Sequence, residues 1–174
     1  MLKPKIEKLL NEQIVHELYS ANLYLNMASW LSDHSLPGYA HWYYNQYQEE
    51  VDHAMIFFGY IAQAGGRPVI GAIDAPEDDW ADVRAVLAKG LEHEQFVTSL
   101  IYNLVEAAEK AKDYKTVEFL RWFVSEQLEE EDNASTNLGR YDTIATDGAG
   151  LHALDAELGA RVYTQTTYLD SYKM

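Results

Sequence analysis

Five acidic side chains crowd one short stretch, "WFVSEQLEEED" from Trp122 to Asp132: Glu126, Glu129, Glu130, Glu131 and Asp132. On a helix, like charges three and four apart each cost about 0.2–0.5 kcal/mol, and the opening Trp122-Phe123-Val124 predicts that the stretch is pinned to a core rather than frayed. Elsewhere Glu17, Glu50 and Glu94 each interrupt an otherwise apolar helical stripe. One such residue is readily explained by a miscounted period or an arginine partner; three at comparable levels are harder to dismiss. An unpaired buried carboxylate costs several kcal/mol, and the basic residues close by in sequence are only His16, His53 and His93. A metal cation balances that charge where protein cations do not. Glu50-x-x-His53 strengthens the case, because residues three apart share a helix face and Glu-x-x-His is a ligand unit of metal-binding helical bundles. Carboxylate oxygens with one or two imidazoles and no thiolate suit iron or manganese better than copper. A symmetrical site would repeat the unit on the fourth helix, where this chain has Gln127-x-x-Glu130.

Four helices must position these residues. Leu10, Ile14, Glu17, Ala21, Tyr24, Ala28 and Leu31 recur at steps of three and four, and "DHSLPG" breaks the pattern. Tyr39, Tyr43, Gln46, Glu50, His53, Phe57 and Tyr60 form a second face, ended by "AGGRP". The third face is Val83, Leu87, Gly90, Glu94, Val97, Ile101, Leu104 and Ala108. After "KAKDY", with Asp113 as N-cap, the fourth runs from about Tyr114 to Tyr141 with Val117, Leu120, Val124, Gln127, Ala134 and Leu138 inward. Short breaks make helices one and two, and three and four, antiparallel hairpins. The aperiodic segment from Gly65 to about Asp78 reaches ~46 Å extended, against ~39 Å for a 26-residue helix. It can therefore run the length of the bundle and leave helices two and three parallel. An all-α four-helix bundle over about 5–142 is expected, with a long crossover, a short fifth helix after Asp147-Gly148 and a tail to 174, all in one domain, 1–174.

Composition narrows the function. Thirteen basic against twenty-eight acidic side chains give a net charge of −15, which argues against nucleic acid and anionic membranes as partners and is compatible with attracting cations. The chain has no cysteine, so disulfides, thiolate nucleophiles, iron–sulfur clusters and cysteine zinc sites are excluded. The N-terminus "MLKPKIEKLLNEQ" has no signal-peptide apolar core, and no apolar run approaches the ~20 residues of a membrane span. A cytoplasmic location is expected. His16, His34, His41, His93 and His152 are expected at the surface or in local hydrogen bonds, Met27 and Met55 as core filling, and Tyr39, Trp42, Tyr43, Tyr44 and Tyr47 in packing and subunit contacts.

The stretches "HELYSANLY", "QEEVDHA", "HEQ" and "WFVSEQLEEE" resemble the non-haem bacterial ferritins in content and spacing, from roughly Met1 to Tyr141. The resemblance implies a ferritin-like fold and iron storage with ferroxidase activity, Fe(II) being oxidised by O2 or H2O2. Glu17, Glu50, His53 and Glu94 would hold a di-iron pair, with Glu50 bridging and Gln127 in or beside the site. Tyr24 would be the nearby redox-active tyrosine. Glu49, Glu126, Glu129 and Glu130 would form a third, weaker iron site, which would explain the acidic run. The resemblance further implies a shell of twenty-four subunits and no haem. Bacterioferritins, which carry a second Glu-x-x-His and a haem-ligating Met where this chain has Val51, fit less well, and rubrerythrin-like proteins need cysteine. The rivals are a DNA-protecting ferritin relative, set against by a tail whose only basic residues are Arg161 and Lys173, and a di-iron or manganese redox enzyme acting on another substrate.

Overall fold

A computed structural model describes residues 2–173; Met1 and Met174, the ends of the expected domain, lie outside them. The chain forms α1 (Pro4–Asp33), α2 (Pro37–Gln63), α3 (Val83–Lys110), α4 (Tyr114–Ile144), α5 (Gly148–Leu158) and a 3-10 turn, Thr167–Tyr172, with no strand among the described residues. The stripes read for α1 and α2 are buried throughout. That of α3 is buried from Leu87 to Ala108, with Val83 half-buried at its start. The fourth stripe is rotated from the expected one. Thr116, Phe119, Leu120, Phe123, Gln127 and Glu130 face inward, while Val117, Val124, Ala134 and Leu138 sit half-buried at its flank. The larger Phe rings take the core positions because more apolar area leaves water there. Met27 is core, but Met55 is 45% exposed, contrary to expectation.

Three helices end in the same way. Leu36 N–H bonds to Leu31 O, Gly66 N–H to Ile61 O and Asp113 N–H to Ala108 O. The residue before each, Ser35, Gly65 and Lys112, has positive φ (63°, 79° and 53°). These are Schellman stops, which return the last carbonyls to hydrogen bonding and reverse the chain. The starts are capped by Asp82 and Asp113, whose side chains accept from Ala85 N–H and Thr116 N–H. α2 has no cap of its own. Asp155, from α5, supplies it: Oδ1 accepts from both Gly38 N–H and Tyr39 N–H at 2.9 Å. The two helices approach so closely that a Cβ on Gly38 would lie 1.6 Å from Asp155 O.

Cross-helix contacts fix the directions. Gln46 meets Glu130, His53 meets Glu126, and Tyr60 meets Thr116, so α2 and α4 are antiparallel. Arg84 meets Asp142 and Glu94 meets Gln127, so α3 and α4 are too. α2 and α3 are therefore parallel, as the crossover length allows. That crossover, residues 64–82, runs up α1: Asn11 bonds Arg67 O and Val69 N–H, Asn26 bonds Glu77 O, and Trp30 bonds Asp79. The apolar interior is divided in two. One cluster centres on Leu10, Phe57, Ile101, Phe119 and Phe123, the other on Leu23, Met27, Leu31, Tyr39 and Leu87. Between them every helix of the bundle contributes polar side chains at one level.

Candidate metal centre

That level holds Glu17 and Ser20 of α1, Gln46, Glu50 and His53 of α2, His93 and Glu94 of α3, and Gln127 and Glu130 of α4, all buried. No lysine or arginine is buried among the described residues. Glu17, Glu50 and His53 each offer a ligand atom within 4.8 Å of the others. Glu17 Oε1 accepts from Gln13 at 3.0 Å, one turn earlier on the same face. Its Oε2 and the Oε2 of Glu50 have no hydrogen-bond partner. His53 Nδ1 stands 3.4 Å from Glu50 Oε2 in ion-pair contact and its Nε2 3.8 Å from Glu126. A buried carboxylate oxygen without a hydrogen bond costs a kcal/mol or more; that of Glu50 has only the ion-pair contact with His53, and that of Glu17 would gain from a cation.

Glu94 stands beside this trio but turns its oxygens elsewhere. Tyr24 donates its hydroxyl to Oε1, and Gln127 Nε2 donates to Oε2 at 3.2 Å. Glu130 Oε2 accepts from Gln46 at 2.7 Å. A cavity of about 20 Å3 lies among Tyr24, Gln46, Glu94 and Glu130. The other three acids expected at the centre's margin are dispersed. Glu126 is half-buried against His53, Glu49 is paired with Arg161, and Glu129 is exposed. Of the acidic run's remainder, Asp132 is exposed, and Glu131 accepts from Thr98 at 2.5 Å.

Burial raises the proton affinity of several of these carboxyls. Burial raises Glu94 to about 7, against the pull of Tyr24 and Gln127. Burial, with the charges of Glu94 and Glu49, raises Glu130 to about 8. Burial likewise lifts Glu50 well above the carboxylate range, opposed by His53. Burial alone would lower His53, but Glu126 and Glu50 on either side of its ring raise it well above its usual value. Tyr24 is held protonated by burial and by Glu94. A metal entering must expel such protons, which couples binding to pH.

Gln13, Gln46, Thr98 and Arg161 complete the surroundings and escaped the sequence reading as site residues. Gln13 was legible as a polar residue four before Glu17; Arg161 carries no periodic signal. His93, expected near the surface or in a local hydrogen bond, is buried and bonds Ser20 Oγ on another helix at 2.8 Å. Burial holds it near 4 and neutral.

Residues 7–144 match the Ferritin family, described as a ferritin-like domain. The bacterial non-heme ferritin of Staphylococcus saprophyticus is 37% identical over 166 residues, 95% of this chain and 99% of its own. A probable bacterial non-heme ferritin-like protein of Haemophilus influenzae is 38% identical over 159 residues, 91% of this chain and 96% of its own. Among solved structures, an open-pore ferritin from the hyperthermophilic archaeon Archaeoglobus fulgidus superposes with a TM-score of 0.92 at 40% identity, covering 93% of this chain and all of its own. A closed form of that protein engineered by site-directed mutagenesis gives 0.93 at 40% identity, over 94% of this chain and all of its own.

Proposed function

The chain belongs to the ferritin family, and we propose that it stores iron by oxidising Fe(II) at the polar level described above and retaining the Fe(III) in a protein shell. The convergence of Glu17, Glu50 and His53, with a buried oxygen on each glutamate that has no hydrogen-bond partner, carries this reading. Iron is the substrate. Glu17, Glu50, His53 and Glu94 are its ligands, Glu50 lying between two ions, with Gln127 and Glu130 completing the far side. Two Fe(II) ions each give one electron to a two-electron acceptor. O2 takes them with two protons to become H2O2, and H2O2 with two protons becomes two waters. Anionic, hard carboxylate oxygens favour Fe(III) over Fe(II), so the ligand set itself promotes the oxidation. Tyr24, hydrogen-bonded to Glu94, is the redox-active side chain of this reading. A weaker third position uses Glu49, Glu126, Glu129 and Glu130, and no haem is required.

The remaining parts follow from the same reading: assembly of twenty-four chains, a cytoplasmic location, and no nucleic-acid or membrane partner. No helix among the described residues is long and apolar enough to cross a membrane. A redox enzyme acting on an organic substrate would need room beside the metals, and the cavities that reach these residues, about 20 and 50 Å3, are on the scale of one to a few waters. The test adds two Fe(II) per chain to metal-free protein, in air or anaerobically with H2O2, while ferric absorbance and particle size are followed. Rapid oxidation in a large shell is expected. Glu94→Ala should abolish the fast phase and keep the shell; fast oxidation retained in that variant would remove Glu94 from the site.

A further inference from the structure

After α5 the chain turns back over the groove between α2 and α4 and closes it. Arg161 O accepts from His41 Nε2 at 2.8 Å and Asn45 Nδ2 at 3.3 Å. Tyr163 donates to Asp52 Oδ2 at 2.6 Å. Tyr168 stacks on Trp122 with ring centroids 4.7 Å apart and donates to Phe119 O at 3.0 Å, and Leu169 is buried. Gly59 lets the segment lie flat, since a Cβ there would meet Tyr172 O at 1.9 Å. Beneath this strap is a cavity of about 50 Å3 lined by Glu49, Asp52, His53, Glu126, Thr164 and Thr166. His53 belongs to it and to the metal centre alike, so the cavity is the centre's continuation on the α2–α4 side, roofed by two threonines.

A cation already holds one acid of this lining, Glu49. The Arg161 guanidinium lies 4.0 Å over the Trp42 ring, grips Glu49 through two bonds of 2.8 and 2.6 Å and bonds Gln46, which in turn holds Glu130. We propose that Arg161 is a latch. A hard cation passing from the centre into the strapped cavity must exchange with the guanidinium at Glu49, and that exchange frees the strap. The idea rests on the iron-handling reading above, but its test does not require iron oxidation.

Zn(II), which is redox-inert, is titrated into the metal-free full chain by calorimetry, with hydrogen exchange followed over residues 161–166. In the unaltered protein, exchange over that segment should quicken only once zinc exceeds what the central site takes up. Arg161→Gln removes the competitor and should tighten the outer zinc site about tenfold, the scale of a charge-assisted hydrogen bond. Tyr168→Phe cuts a tether outside the cavity, the bond to Phe119 O, and leaves Arg161 on Glu49, so outer-site affinity should stay as in the unaltered chain. An unchanged outer affinity in Arg161→Gln, an equal gain in Tyr168→Phe, or strap exchange indifferent to zinc would each overturn the latch. Failure of Fe(II) oxidation would overturn the ferroxidase reading instead, and the zinc results would still decide the exchange.

Discussion

At the scale of single residues, burial sets how tightly the polar level holds its protons. In the folded, metal-free chain Glu94 at about 7 and Glu130 at about 8 keep protons that the unfolded chain, with carboxyls near 4.5, gives up. The folded state therefore binds more protons over that interval, and stability falls as pH rises through it. His53, also raised, acts in the same direction. The thermal midpoint of metal-free protein should climb as pH is lowered from about 8 to about 5. His93, which burial holds near 4, acts the other way as pH falls below the usual imidazole range, so the climb flattens and the curve turns down at lower pH. Glu94→Gln should flatten the slope; a slope unchanged in that variant would place the protons elsewhere. Tyr24→Phe removes a donor from Glu94 and so lets its pKa rise further. The pH midpoint for Co(II) uptake, read from its visible bands, should move upward with it, by up to about one unit.

At the scale of elements, the bundle depends on how its helices start and stop. Asp155 caps α2 from a helix more than a hundred residues away. Asp155→Ala should cost about 1–2 kcal/mol in denaturant unfolding, whereas a nearby exposed change such as Ala156→Ser should cost little. Lys112 sits in the left-handed region at the α3 stop. Lys112→Gly should be neutral or stabilising by up to about 1 kcal/mol, relief of the side-chain clash outweighing the entropy of glycine. Much of this architecture was legible in the sequence. Steps of three and four gave the α1, α2 and α3 faces, and "AGGRP" and Asp113 marked a stop and a cap. The carboxylates on three stripes located the polar level. The α4 face was misaligned because Phe119, Phe123 and Val124 offer overlapping apolar stripes, and only packing against Phe57 and Tyr60 chooses between them. The borrowed cap and the strap were invisible for a different reason: they are contacts between distant segments with no local period.

At the scale of the molecule, charge and order of construction matter most. A chain carrying −15 repels its copies, and a shell multiplies that repulsion. Lowering ionic strength at constant pH should therefore favour dissociation, and added salt should restore the large particle; light scattering across a salt series checks it. The polar level also divides the interior into two apolar clusters, so the bundle holds together on either side of a layer that favours unfolding. Filling that layer with Zn(II) should raise the thermal midpoint and release protons, both measurable on one sample. The borrowed cap has a consequence for biosynthesis. Asp155, Arg161 and Leu169 leave the ribosome after all four long helices, so the nascent bundle spends its first moments with α2 uncapped and the α2–α4 groove bare. The strap, made after the four long helices, is thus a closure laid over a groove that has already formed.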